Sequence, residues 1–252
     1  MTRIDEYREA LERAANQEAY LLAHSGLPGP RGNLELARAA AEVCSKPELR
    51  RWAQLGSDEA PTGTAEEFLA FCGVLGLGRA LVEGERHVLD ELRRHASDPR
   101  WRLREAVAMA LQLWGEVDFE ALAAAMDEWA RGSPLEQRAA AAALCEPALL
   151  TTPERIGEVV SVLTEATAGI VQAGAEERRS EEFKALRKGL GYCWSVAVAA
   201  APEVGKSAFE ELVGRAAASY DRDLAWVARE NLRKRRLQRL DRRWVARLLE
   251  HL

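Results

Sequence analysis

Apolar residues along the chain recur at helical spacing almost throughout, and no segment alternates apolar and polar like a strand. The clearest stripe lies in Trp101–Trp114. Leu103, Ala106, Val107, Ala110, Leu113 and Trp114 there follow an i, i+3, i+4, i+7, i+10, i+11 pattern, which places them on one helix face. The same reading predicts helical segments over 2–23, Leu34–Cys44, Pro47–Leu55, 85–96, 118–131, 134–145, 153–172, 181–200, 203–219, 224–239 and 242–251. A further helix starts at Ala65 and meets Gly73, Gly76 and Gly78, where it is expected to bend or end. Breaker-rich loops separate these segments at 25–33, 56–63 and 173–180. Asn33 is placed to cap one helix, and Thr64 with Glu67 three residues on resembles a capping box. Ser97-Asp98-Pro99 reads as a turn with Pro at the first helical position.

One signature occurs twice: Asp98-x-x-Trp101-x-x-Arg104-Glu105 and Asp223-x-x-Trp226-x-x-Arg229-Glu230. The copies stand 125 residues apart, about three units of 42. Weaker echoes at Arg138 and Arg187 bring the arginine spacings to 34, 49 and 42. Helix pairs of about 40 residues are the period of HEAT and armadillo solenoids. The expected fold is therefore all-α, a right-handed α-solenoid of five to six HEAT-like pairs forming a single domain over 1–252. Each Asp is expected to cap the following helix. Each Arg, six residues on, would reach a neighbouring unit and tie layer to layer.

Composition agrees with a helical globular chain. Of the 252 residues, 48% are hydrophobic and 30% charged, too apolar for a disordered chain. The N-terminal stretch has no long apolar run, and the most apolar runs, near Ala139–Leu150 and Cys193–Pro202, fall short of the roughly 18 residues of a membrane span. A soluble cytoplasmic protein with no membrane partner is expected. Cys44, Cys72, Cys145 and Cys193 form no C-x-x-C pair and read as free thiols. The net charge of −5 is unevenly placed. From Arg229 to Arg247, nine basic residues face two acidic ones, so this end carries +7 and the remainder −12.

The run Asp98-Pro99-Arg-Trp-Arg-Leu-Arg104-Glu-Ala-Val-Ala resembles the turn and second helix of a HEAT repeat. With Gly26-Leu-Pro-Gly-Pro-Arg-Gly-Asn-Leu-Glu-Leu36, Arg187-Lys-Gly-Leu-Gly-Tyr-Cys-Trp194 and Arg229-Glu-Asn-Leu-Arg-Lys234, the whole chain resembles bacterial HEAT-repeat proteins of uncharacterised function. Their fold is close to that of the HEAT-like alkylpurine DNA glycosylases. The resemblance implies the solenoid fold. It also implies that a glycosylase would present paired tryptophans close to an aspartate on one helix. Trp114 with Asp118, and Asp127 with Trp129, do not match that pattern, so no catalytic residue is carried over.

Candidate binding residues are Trp101, Arg104, Arg187, Trp194, Trp226, Arg229, Arg233 and Arg236. The tryptophans are either packing between repeats or aromatic platforms. Arg229, Arg233, Arg236 and Arg243 recur at roughly helical spacing and could track a phosphate backbone; the alternative is a solvated helix whose arginines pair with the acidic body. His87 and His95 with Asp90 and Glu91 read as a solvated face, not a metal site. Gly205-Lys206-Ser207 lacks both the first glycine and the strand of a phosphate-binding loop. No cofactor is expected. Two functions remain: a non-enzymatic scaffold that binds a protein or peptide partner on its concave face, and a binder of duplex DNA through the C-terminal basic helix, with excision of alkylated bases as its enzymatic extension.

Overall fold

A computed structural model describes residues 2–252. Among them the regular elements are 15 α-helices and one short 3-10 turn, with no strand. No helix is long and apolar enough to cross a membrane. The chain divides into two compact units, Met1–Val117 and Asp118–Leu252.

The first unit holds α1 (Arg3–Arg13), α2 (Gln17–His24), α3 (Leu34–Val43), α4 (Lys46–Ala53), α5 (Ala65–Val82), α6 (Val88–His95) and α7 (Trp101–Gly115). Side-chain caps set most of its helix starts. Asn16 and Asn33 accept from the N–H groups of Ala19 and Leu36. Ser45 and Glu48 close a reciprocal capping box at α4, which satisfies two otherwise orphaned donors. Thr64 caps α5 by accepting from the Glu67 N–H. The Glu67 side chain does not complete the box; it turns inward, as described below.

Helix α5 is the axle of this unit and packs against α3, α4 and α7. It does not bend or end at its glycines; it runs unbroken to Val82. The reason is close packing on opposite sides. A Cβ on Gly73 would lie 2.2 Å from the Ala53 nitrogen of α4, and one on Gly78 would lie 2.5 Å from the Ala110 carbonyl of α7. The glycines let two backbones approach, and that packing offsets their low helix propensity. Nearly every α5 side chain from Glu67 to Leu81 is buried, so the helix has no solvent face.

The second unit holds α8 (Phe119–Trp129), α9 (Pro134–Leu144), α10 (Pro153–Gln172), α11 (Glu181–Ala200), α12 (Pro202–Ser219), α13 (Arg222–Leu232), α14 (Arg235–Leu240) and α15 (Arg242–Leu249). Its central helix is α11, which packs on α9, α10, α12 and α13. Asn231 fixes the α11–α13 contact. It is fully buried, accepts from the Ser195 N–H at 2.8 Å and donates to the Leu190 carbonyl at 2.9 Å. All its polar capacity points across or along the interface, as a buried amide requires.

Several boundaries differ from the periodicity. The segment 2–23 divides at Ala14–Asn16, and α6 begins at Val88 rather than residue 85. The segment 224–239 is not one helix, because the chain breaks at Arg233–Lys234; the expected break between 239 and 242 falls at Asp241. Asp241 is the side-chain cap of α15, accepting from the Trp244 N–H. Helical spacing of arginines therefore does not carry from α13 through to Arg243.

Candidate functional site

The two copies of the Asp-Trp-Arg signature sit in different registers. Trp101 is the first residue of α7, whereas Trp226 is the fifth of α13. This offset of about one helical turn separates the surroundings of the two tryptophans and of the two aspartates.

In the first unit, Asp98 does not cap α7, and Pro99 lies before the helix rather than at its first position. The Asp98 carboxylate instead accepts from the Arg100 backbone N–H at 2.8 Å and from its guanidinium at 2.9 and 2.7 Å. Burial pushes the Asp98 carboxyl up, but the Arg100 hydrogen bonds and charge outweigh it and leave it below the ordinary value. Arg100 is itself buried and donates to the carbonyls of Gly56 and Ala60 in the α4–α5 loop. Arg100 thus ties this turn to the preceding helices. Arg104 donates to the carbonyls of Asp98 and Pro99, closing its own turn.

Next to this turn lies a cavity of about 230 Å³. Its walls are Leu34 of α3, Phe68 and Phe71 of α5, and Met109 of α7; the loop residues Pro30, Arg31 and Gly32 line it too. Trp101, Arg102 and Glu105 of α7 complete the lining. Among the described residues Trp101 is the one exposed tryptophan, at 48%. The Arg102 guanidinium stacks on the Trp101 ring, 4.5 Å from its centroid, the geometry of a cation–π contact. Arg102 also donates to Glu67 at 3.1 Å and to the Gly29 carbonyl at 3.3 Å. Glu67 is fully buried and accepts the Gly63 N–H at 2.7 Å. The chain Gly63–Glu67–Arg102–Trp101 thus fixes the orientation of the exposed indole from inside the fold. Arg31 is the freest charge at the pocket: its side chain is 69% exposed and its ion pair with Glu35 is long, at 3.7 Å.

In the second unit the signature is closed. Asp221, not Asp223, caps α13, accepting from the N–H groups of Asp223 and Leu224. Arg178, from the 3-10 turn, donates to Asp221 at 2.7 Å and to Asp223 at 3.0 Å. It also donates to the Ile170 and Ala173 carbonyls at the end of α10. This hydrogen bonding from Arg178 holds the Asp221 carboxyl below its ordinary range and raises Arg178 further. Arg187 pairs with Asp223 and lies over the Trp226 ring at 4.7 Å. Trp226 fills the space at Gly191, where an added Cβ would come within 2.9 Å of the indole. Arg187 and Trp226 are thus brought together, as an α11–α13 clamp.

Trp194 offers no surface. It is fully buried, donates to the Thr167 hydroxyl at 3.0 Å and packs on Phe209. The remaining candidates lie at the basic end. Arg233 pairs with Glu230, and Arg236 donates to the exposed Tyr192 hydroxyl at 2.7 Å while lying over its ring. Lys234 also pairs with Glu230, and Arg247 with Glu210. Among the described residues, no carboxylate pairs with Arg229, Arg235, Arg239, Arg242 or Arg243. The last four are exposed. The expected pairing with acidic residues therefore neutralises only part of this stretch.

The described residues contain no group of His, Cys, Asp and Glu able to hold a metal ion. All four cysteines are buried and free. Burial pushes the Cys44 thiol up to about 12 and raises Cys72 and Cys145 well above the ordinary value, so these three are poor nucleophiles at neutral pH. No protein-family model, curated protein or solved structure matches the chain.

Trp101 was legible as a candidate, but the pocket was not. Its walls come from α3, α5, α7 and a loop, and no local pattern links them. The one usable signal was Glu67. A carboxylate in the first turn of a helix with no polar face must find a partner inside.

Proposed function

We propose that the chain is a non-enzymatic binding protein, built of five to six HEAT-like helical pairs in a right-handed solenoid, that takes a protein or peptide partner. The Trp101 pocket carries this reading. Apolar cavities of about 150 Å³ hold a benzene ring, and sites for drug-sized ligands begin near roughly 300 Å³. A volume of about 230 Å³ therefore suits one large side chain better than a cofactor. A half-exposed tryptophan at an apolar pocket with charged neighbours is the composition of an interaction hot spot. Buried free thiols suit a reducing cytoplasm. Selection of peptides from a random library on the purified protein tests the reading. Selected peptides should share one aromatic or branched aliphatic residue, and W101A should weaken them about tenfold or more. Binders indifferent to W101A, or none at all, would sink it.

A second reading, binding of duplex DNA, is favoured by the exposed arginines without acidic partners on α14 and α15. Affinity for a 20-base-pair duplex should then fall steeply with salt, and the log–log slope should shrink by about 0.9 for each of Arg235, Arg239, Arg242 and Arg243 changed to Glu. A salt-independent or absent interaction removes it.

A further inference from the structure

We infer that the residue next to the partner's apolar anchor carries a carboxylate, and that Arg31 receives it; this rests on the peptide-binding reading of the Trp101 pocket. Three charged side chains line that pocket: Arg31, Arg102 and Glu105. Two are committed. Arg102 gives its two terminal nitrogens to Glu67 and the Gly29 carbonyl and lies over the face of Trp101, and its remaining nitrogen, Nε, is buried. Glu105 has an interaction of its own within the protein. Arg31 is left, mostly exposed, with one long contact to a half-exposed Glu35. A pocket with apolar walls and one available cation complements an apolar group with one negative charge nearby. The neighbour of an anchor residue has its Cα about 3.8 Å away, so an Asp or Glu adjoining the anchor stays at the pocket as the side chain enters.

The pair at Arg31 is solvent-exposed, so its contribution is modest and salt-sensitive. The test uses two acetylated, amidated hexapeptides, Gly-Ser-Phe-Asp-Ser-Gly and the same sequence with Asn for Asp, and octanoate as a free carboxylic acid. Binding is read from the Trp101 indole N–H resonance of the full chain during titration. The Asp peptide is expected to bind about two- to fivefold tighter than the Asn peptide. In R31Q the two peptides should bind alike, and 0.5 M NaCl should narrow the preference in the native protein. Equal affinities in the native protein overturn the inference and leave the peptide reading standing. Octanoate binding that depends on Arg31, with neither peptide bound, overturns it in favour of a small amphipathic acid. No response to any of the three overturns the peptide reading itself.

Discussion

Trp101 and Trp226 occupy the same place in one sequence signature and do opposite things. Trp226, one turn into α13, is drawn against α11 and held there by Gly191 behind it and Arg187 over its face. Trp101, at the very start of α7, has no preceding turn of its own helix to carry it inward. It stays at the surface beside a cavity. The comparison shows that position relative to the helix start, not residue identity, decides whether an aromatic residue packs or presents itself. The arginine ties follow the same rule. At the Trp101 turn Arg104 closes the turn on itself and Arg100 ties it to the α4–α5 loop; at the Trp226 turn Arg178 makes the tie from a different element.

The comparison breaks most readily through the tryptophans themselves. W226A should cost about 2–4 kcal/mol in chemical denaturation, because it empties a packed contact. W101A should cost below about 1 kcal/mol, because a half-exposed ring leaves no cavity inside. Similar losses for the two would mean that the turns are equivalent after all. A smaller effect is expected from G191A. Its Cβ would meet the Trp226 ring at 2.9 Å and the Glu230 Cβ at 3.3 Å, an overpacking worth about 1–3 kcal/mol. No Trp101 counterpart of this contact exists to be broken.

The smallest expected effect separates the two units by pH. Burial lowers the pKa of His95, near the Asp98 turn. The folded form therefore disfavours its proton, so the related stability is complete above about pH 6.5 and is lost as pH falls through the depressed value. Asp221 is depressed as well, by Arg178, but its contribution holds down to about pH 4 and is lost only below that. Amide-exchange protection in α6 and α7 should therefore decline from about pH 6.5 downward, while α13 holds until below about pH 4. H95Q should remove the earlier phase. Simultaneous loss in both units would show that His95 does not control it.

Much of the local structure was legible because its causes are local. Asn33, Thr64 and the Trp101–Trp114 stripe lie where their own neighbours dictate, and the structure places them so except at Leu113, which is half-buried where Leu111 is buried. The failures at packed positions are non-local. Gly73 and Gly78 read as breakers until α4 and α7 are seen against them. Trp194 read as a possible platform, but its indole is buried against Thr167 and Phe209, from two other helices. The arginines of 229–243 read as one stripe because their spacing is roughly helical. The break at Arg233–Lys234 depends on how α14 packs against α11. Of the pocket, only Trp101 was visible as a candidate, since Phe68, Phe71 and Met109 look like any other core residues until one side of them is left uncovered.

Helix α5 has a consequence during synthesis. It is complete at Val82, yet the helix that covers its Gly78 side, α7, ends only at Gly115. At about 5–20 residues per second, those 33 residues take roughly 2–7 seconds to add. Throughout that interval a nascent chain carries an 18-residue helix with no polar side to turn toward water. The first unit is therefore most exposed to aggregation, and most in need of chaperone cover, just before α7 leaves the ribosome.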